Sequence, residues 1–314
     1  MPLDERHMLL KVAIVGTGHM GKIHLGKLHA FKGVRVAGIV DIDTAVLSAL
    51  SEKYHVPYYI DYKDVADGLN GVVITTPTDT HYPIAKSFME KGIHVFVEKP
   101  VTLSAGQAKR LVSLAAEKGL TFQVGHLERF NPAFRRAQQF IRAPLAIEAC
   151  RISPFTGRST DVDVILDLMI HDLDLVLSLI REEVKEIRAN GTALVTDKLD
   201  AAHARIEFTN GSVANIFASR IAAKRERMLT VFEKGRSFCI DFMQGKLTTS
   251  TKKHGGGIHI EEYTSDRMDP VQDELTEFIG AMKGNTRPGV TGEDGLRALI
   301  LANKIRQYIA KKQR

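Results

Sequence analysis

Residues 9–21 read Leu-Leu-Lys-Val-Ala-Ile-Val-Gly-Thr-Gly-His-Met-Gly, and their order decides the first half of the chain. Leu9 to Val15 is a short apolar run of strand length. The turn Gly16-Thr-Gly18-His-Met-Gly21 follows, and an amphipathic stretch continues to Phe31. A GxGxxG gains meaning from this setting between a strand and a helix. Gly16 suits a tight turn, Gly18 lets a pyrophosphate approach the backbone, and Gly21 lets the helix pack on the strand. The free N–H groups at the helix start then face the phosphates. The next apolar run, Val34 to Val40, ends on Asp41, 20 residues after Gly21. A carboxylate there accepts hydrogen bonds from ribose hydroxyls and repels a 2′-phosphate, so NAD is expected over NADP. The competing reading is a structural turn followed by a surface aspartate.

Outward from this unit the alternation continues. Val72 to Thr75, Ile93 to Val97 and Leu120 to Val124 read as strands. Asp43 is placed to cap a helix through Leu47 and Leu50. Helices are expected from about Thr80 to Lys91 and Ala105 to Lys118, the second with a Ser104/Gln107 capping box, and each is followed by glycine, Gly92 and Gly119. Short links between alternating strands and helices imply an α/β fold with a parallel sheet, the pattern of a Rossmann dinucleotide-binding domain. After Gly125 the character changes. Asn131-Pro132 opens a helix, and Asp163 to Arg181 forms another. Val184 to Tyr263 reads as strand after strand, with turns at Asn210-Gly211, Lys234-Gly235 and Gln244-Gly245. Helices from about Pro270 to Lys283 and Glu293 to Lys311 close the chain. We therefore expect a dinucleotide-binding domain over residues 1–125 and an α+β domain with a large, mostly antiparallel sheet over 126–314.

The 314 residues carry 44% hydrophobic and 25% charged side chains, the balance of a globular protein of two domains. Val164 to Ile180, the most apolar helical stretch, is interrupted by Asp167, His171, Asp172 and Asp174, so no membrane span is expected. Asp4 and Glu5 precede a strand-like run, unlike a secretory leader. Two cysteines far apart, Cys150 and Cys239, indicate neither a disulfide framework nor a zinc site, and a cytoplasmic location is expected. A net charge of +6 suits an anionic ligand such as a nucleotide. There is no GxxxxGK[ST] and no second flavin signature. The basic end, Lys304 to Arg314, lies where a helix C-terminus favours cations, so no nucleic-acid role is expected.

Two further groups carry chemistry. Glu98-Lys99-Pro100 ends the strand Ile93 to Val97, and ligands of open parallel sheets sit beyond such strand ends. Lys99 could hold a substrate oxygen there; the alternative is a solvated loop with an incidental charge pair. Thr75-Thr76-Pro77-Thr78 ends the preceding strand, with His81 just beyond, and borders the same cleft. Asp167 and His171 stand four apart on one face of an otherwise apolar helix. A carboxylate beside an imidazole orients the ring and raises its basicity, as a general base requires. A solvent-facing Asp–His pair and a metal-ligating pair are the alternatives, and no metal is expected because no further ligand cluster accompanies it.

The motifs GTGHMG at 16–21, TTPTDTH at 75–81, EKP at 98–100 and DLMIH at 167–171 occur in the order that resembles the glucose–fructose oxidoreductase/inositol dehydrogenase (Gfo/Idh/MocA) family. Gly125-His-Leu-Glu-Arg-Phe-Asn-Pro132 and Gly292-Glu-Asp-Gly-Leu-Arg297 resemble it too, while Thr78 stands where members often carry Asn. The resemblance implies an NAD(P)-dependent oxidoreductase acting on a sugar or cyclitol alcohol, with Lys99, Asp167 and His171 as the catalytic group. It implies cofactor contacts from Gly16, Gly18, His19, Met20, Gly21, Asp41, Thr75, Thr76, Pro77, His81, Glu98 and Lys99. It also implies a homodimer or homotetramer packed through the open face of the C-terminal sheet. GHLERFNPAF with DLMIHDLDLVLSLI looks most like the branch that oxidises the 3-hydroxyl of UDP-N-acetylglucosamine for amino-sugar lipid A. Substrate contacts are then expected from Lys99, Arg158, Asp167 and His171, with Arg151, Arg220, Lys224, Arg225 and Arg227 available to a diphosphate. An inositol or free-sugar dehydrogenase is the close alternative, and a non-enzymatic NAD-sensing regulator the distant one.

Overall fold

The computed structural model describes residues 9–65, 67–157 and 162–312. They form two compact units, each with its own sheet. The first holds six parallel strands: β1 (Leu10–Val15), β2 (Val34–Val40), β3 (Tyr58–Tyr59), β4 (Gly71–Ile74), β5 (His94–Glu98) and β6 (Phe122–Gly125). Their order is β3-β2-β1-β4-β5-β6, the doubly wound arrangement. Helices α1 (His19–His29), α2 (Thr44–Tyr54), α3 (Thr78–Glu90) and α4 (Ala105–Glu117) connect them. The order reverses between β1 and β4, so the loops after these two strands flank a switch point where nucleotides bind.

Local chemistry explains the boundaries. Asp43 Oδ1 accepts from the N–H groups of Ala45 and Val46, both at 3.1 Å, and so starts α2. Gly92 and Gly119 follow α3 and α4 with φ of 78° and 63°, a backbone that side chains resist. The Ser104 capping box does not form: the Ser104 side chain makes no cap bond, and the nearby Thr102 hydroxyl donates to the Ser104 carbonyl at 2.8 Å.

The second unit is built on eight strands: β7 (Ala146–Ile152), β8 (Val184–Thr192), β9 (Ala201–Phe208), β10 (Val213–Ser219), β11 (Glu226–Glu233), β12 (Arg236–Asp241), β13 (Lys246–Lys252) and β14 (Ile258–Thr264). The sheet runs β14-β13-β12-β11-β7-β10-β9-β8, antiparallel except where β7 meets β10. The turn glycines Gly211, Gly235 and Gly245 all have positive φ. Strand β7, which sequence reasoning did not assign, is near the centre. Its inward positions include Arg151, and a buried arginine breaks the apolar alternation by which a strand is recognised. Helix α5 (Pro132–Gln138) begins at Asn131, whose Oδ1 accepts from Ala133 N at 3.0 Å.

The helix expected over Asp163–Arg181 forms, and it opens with a π turn, Ile165–Met169, that leads into α6 (Ile170–Leu179). The compact units do not follow the single cut expected after Gly125. The first unit takes in residues up to His126 together with Val271–Leu296, and the second takes Leu127–Pro270 with the residues from Arg297 onward. Helix α7 (Pro270–Met282) places Leu275, Phe278 and Ile279 in one core with Val12, Ile14, Val36, Leu25 and Leu47 of the first unit. Val290 accepts from Val124 N at 3.2 Å, and Thr291 bridges to Gln123 on β6. Helix α8 (Gly292–Lys312) then carries the chain back to the second unit.

Candidate active site

The nucleotide half of the site is set by three glycines with different duties. Gly16 has φ of 95°, and a Cβ there would lie 2.7 Å from the Thr75 carbonyl carbon. At Gly21 a Cβ would fall 2.0 Å from the Gly16 oxygen, so any side chain would drive the turn off the helix. A Cβ at Gly18 would meet open space, which leaves that backbone approachable. No side chain caps α1 at Gly18, so the first N–H groups of the helix suit an anion. His19 and Met20 open the helix, with His19 exposed and Met20 half-buried.

Asp41 sits beside this turn and holds it. Its Oδ2 accepts from Thr17 N at 2.6 Å and Thr17 Oγ1 at 2.9 Å, and its Oδ1 accepts from Ile42 N at 2.8 Å and Asp43 N at 3.2 Å. Burial alone would raise its pKa, but these bonds outweigh it and hold the carboxyl below its ordinary value. Asp41 is therefore an anion at the end of β2. The geometry of this turn and carboxylate fits a dinucleotide.

The loop after β4 serves partly as scaffold. Thr75 Oγ1 donates to the Gly16 carbonyl at 2.7 Å, and Thr76 Oγ1 accepts from Thr80 Oγ1 at 2.7 Å. Pro77 precedes α3 in extended conformation. His81, expected to touch the cofactor, is 1% exposed, with Nδ1 2.9 Å from the Pro100 carbonyl and Nε2 2.8 Å from the Thr76 carbonyl. Burial holds its imidazole below the ordinary value. The ring stitches the β4 and β5 loops together. Glu98 also turns inward: its Oε1 lies 2.9 Å from His24 Nε2, and its Oε2 accepts from Lys99 N at 3.3 Å. Its carboxylate supports the strand end through these contacts. Lys99 follows it, half-buried, joined to Pro100 by a cis peptide.

In the second unit Asp167 and His171 lie on either side of the π–α junction, and both are half-buried. Single π turns are frequent at functional sites because they re-aim side chains without ending the helix. Asp163 starts the segment, its Oδ1 accepting from Ile165 N and Leu166 N at 3.1 Å and its Oδ2 from Arg306 Nε. The next residues fix α6 in place. Asp172 accepts two bonds from Arg151, at 2.8 and 2.9 Å, and Asp174 accepts two from Arg129, at 2.6 and 2.8 Å. Burial raises the Asp172 pKa, against which the Arg151 charge works. These carboxylates were read as breaks in an apolar helix; their arginine partners lie 21 and 45 residues away and give no local signal.

The basic residues proposed for a diphosphate separate accordingly. Arg151 is buried between Asp172 and Glu128, the latter at 2.7 Å. Arg220 is buried against Asp200 at 2.8 Å and donates to the Val162 carbonyl at 2.9 Å. Both hold the fold, and neither is available to a substrate. Lys224 pairs with Glu226 on the surface, Arg227 with Glu128, and Arg225 is exposed. Arg158 lies outside the described residues.

Residues 10–126 match the oxidoreductase family with an NAD-binding Rossmann fold, and residues 151–238 match the GFO/IDH/MocA C-terminal domain. The chain is 33% identical over 303 residues to the UDP-N-acetylglucosamine 3-dehydrogenase of Acidithiobacillus ferrooxidans, covering 95% of this chain and 96% of that one. A solved structure of that enzyme superposes with a TM-score of 0.91, covering 96% of this chain and 97% of that one. The myo-inositol 2-dehydrogenase of Thermotoga maritima is 25% identical, with 96% of each chain covered. The scyllo-inositol dehydrogenase of Lactobacillus casei, solved with NAD(H) and scyllo-inositol, is 23% identical, covers 96% of this chain and 97% of its own, and shares the fold at a TM-score of 0.83. Matched over both units and over nearly its whole length, the chain belongs to the Gfo/Idh/MocA family of oxidoreductases.

Proposed function

We propose that the protein is an NAD-dependent dehydrogenase that oxidises the 3-hydroxyl of a UDP-sugar of the UDP-N-acetylglucosamine type. The observation that carries the reading is the likeness, along nearly the full chain, to an enzyme of that name. The Gly-rich turn with its open Gly18 and the anionic Asp41 support the cofactor assignment. NAD bound there supplies the hydride acceptor.

The remaining chemistry falls to the chain itself. His171 takes the proton of the secondary hydroxyl, since an imidazole titrates near neutrality without help. Asp167 orients that ring, and Lys99 holds the oxygen on which negative charge develops. Lys224, Arg225 and Arg227 remain as cations for the diphosphate, together with Arg158. The protein acts as a homodimer or homotetramer in the cytoplasm, joined through the second sheet. An inositol dehydrogenase is the second reading, favoured by the likeness to the Thermotoga enzyme.

Turnover followed by NADH absorbance separates these, with UDP-N-acetylglucosamine, free N-acetylglucosamine and myo-inositol as substrates. The expected result is turnover with the UDP-sugar and calorimetric affinity well above that for the free sugar. Equal affinities for the two sugars, or faster turnover of inositol, would reject the UDP-sugar assignment. Light scattering checks the assembly: a monomer at working concentration would rule out the shared-sheet interface.

A further inference from the structure

Beneath the Glu98–Lys99 turn lies a group of three side chains that the proposed mechanism does not use. His24 comes from α1, Glu98 from the end of β5 and Glu274 from α7, and one polar atom of each lies within 4.8 Å of the others. His24 and Glu274 are both 0% exposed. Glu98 is well served, facing His24 Nε2 and accepting from Lys99 N. Glu274 is not: among the described residues neither carboxyl oxygen has a hydrogen-bond partner, while its main-chain carbonyl accepts from Gln123 Nε2 at 2.9 Å. The Gln123 side-chain oxygen and His24 Nδ1 are likewise unpartnered.

A buried carboxylate without a donor or a counter-ion is costly, and a second anion so close makes it more so. The same carboxyl as a neutral acid has an O–H to give, and Glu98, with a polar atom within 4.8 Å though not hydrogen-bonded to it in the structure, is the acceptor toward which it would turn. The geometry decides which partner holds the proton. Glu98 receives two donors and lies beside the Lys99 charge, whereas Glu274 receives none.

We propose that Glu274 is a positioning residue, kept as the neutral acid against an ionised Glu98, so that one buried negative charge ties the Lys99 backbone to the helix after the Gly-rich turn. The role for Lys99 rests on the function proposed above; the protonation of Glu274 does not. Electrostatics supports the assignment. Burial and then the Glu98 charge drive the Glu274 pKa well up. Burial would raise Glu98 too, but the His24 bond and the charges of His24 and Lys99 bring it below its ordinary value. The charged or titratable groups around the pair are His24 from α1, Lys99 beside Glu98, and His81 from α3, which feels the Glu98 charge; β6 contributes the neutral Gln123.

Infrared spectroscopy of the full chain at neutral pH tests the protonation directly. The C=O stretch of a protonated carboxyl should be present, move when glutamate carboxyls are labelled with carbon-13, and vanish in Glu274→Gln. The band is read from wild type, so a variant that fails to fold does not remove the test. Absence of a labelled band overturns the proposal. So does a stoichiometric divalent metal in the purified protein that Glu274→Gln loses, because a metal there would need both carboxylates ionised.

Stability gives a second readout. A carboxyl whose folded pKa is raised stabilises fully below its unfolded value, and that stabilisation is lost as pH rises through the folded value. From the ordinary value of 4.5 upward, wild type should therefore lose thermal midpoint relative to Glu274→Gln. Parallel midpoints across that range would count against the proposal. In kinetics Glu274→Leu, which has no donor, should lower kcat by about tenfold to 10²-fold through misplacement of Lys99, and Glu274→Gln should restore most of it. Failure of the amide to rescue where leucine fails would reduce Glu274 to a packing role. If no sugar is turned over, the infrared band still decides the proton.

Discussion

Asp41 shows how one side chain can serve the fold and the ligand at once. Its carboxylate gathers four protein donors, and the two from Thr17 pin the Gly-rich turn. NAD should therefore be used with the higher kcat/KM, since the 2′-phosphate of NADP would meet an anion; equal or better use of NADP would refute this. Asp41→Ala should narrow the preference but also weaken NAD binding, because Thr17 loses its anchor. Asp41→Asn should narrow it at less cost, since the amide oxygen still accepts. His171 carries a separate prediction. General-base help is worth about 10²–10⁴-fold in rate, so His171→Ala should lower kcat by that range while NAD affinity, set by the first unit, holds. Near-full turnover in folded His171→Ala across neutral pH would move the base elsewhere. The turn at Gly16, Gly18 and Gly21 and its tie to Asp41 were legible because a strand–turn–helix geometry is written in a local stretch. The inward-facing His81 and Glu98 were not, since their partners Thr76, Pro100 and His24 become neighbours only when the sheet forms.

Elements were readable wherever a local rule governs them. Strand β2 begins and ends where the apolar run does, Asp43 caps α2, and the turns at Gly211, Gly235 and Gly245 join neighbouring strands. The rules failed where distant charges set the structure. Strand β7 carries Arg151 inward because α6 presents Asp172 to it, and neither segment alone discloses the pair. The π turn before α6 has no sequence signature; it exists in a segment held from outside by Arg306 on Asp163 and by arginines on Asp172 and Asp174. Removing one partner of a buried ion pair typically costs about 3–5 kcal/mol. Arg151→Met should therefore lower stability in denaturant titration by that order, with kcat falling beyond the loss of folded protein as α6 shifts next to His171. A stability loss below about 1 kcal/mol would mean that the pair contributes no more than a surface bridge. Asp200 gives the pH counterpart. Burial would raise its pKa, but N–H bonds from Thr196, Val195 and Leu194 hold it well below the ordinary value. Its stabilisation is present above the ordinary aspartate range and is lost on acidification through the folded value. Asp200→Asn should thus be destabilised at neutral pH, and the gap to wild type should close in strong acid.

At the scale of the whole molecule the chain leaves its first unit at His126 and returns to it at Val271. Sequence order alone placed the helix from about Pro270 to Lys283 in the second domain, beside the nearer sheet. The core decides otherwise: Leu275, Phe278 and Ile279 pack with Leu10, Val12, Ile14 and Val36, and a Cβ at Gly71 would lie 2.5 Å from the Met282 sulfur, which would have to move. Glycine at 71 is thus a mark on β4 of a helix that arrives some 200 residues later. A fragment ending at His126 contains every strand and the whole nucleotide turn, yet leaves that core face uncovered. Deleting a buried phenylalanine side chain alone costs about 3–5 kcal/mol, and the fragment lacks Phe278 with its apolar neighbours. Domains hold only about 5–15 kcal/mol in total. Fragment 1–126 should accordingly show no cooperative thermal transition, bind a hydrophobic dye and bind NAD poorly, while adding residues 271–296 through a linker should reverse all three. Cooperative melting and NAD affinity in the short fragment would show that the first unit closes its core without the return segment. In the full chain, Phe278→Ala should weaken NAD binding. Its ring packs edge-on to Phe96, and Phe96 packs on His24, which holds Glu98.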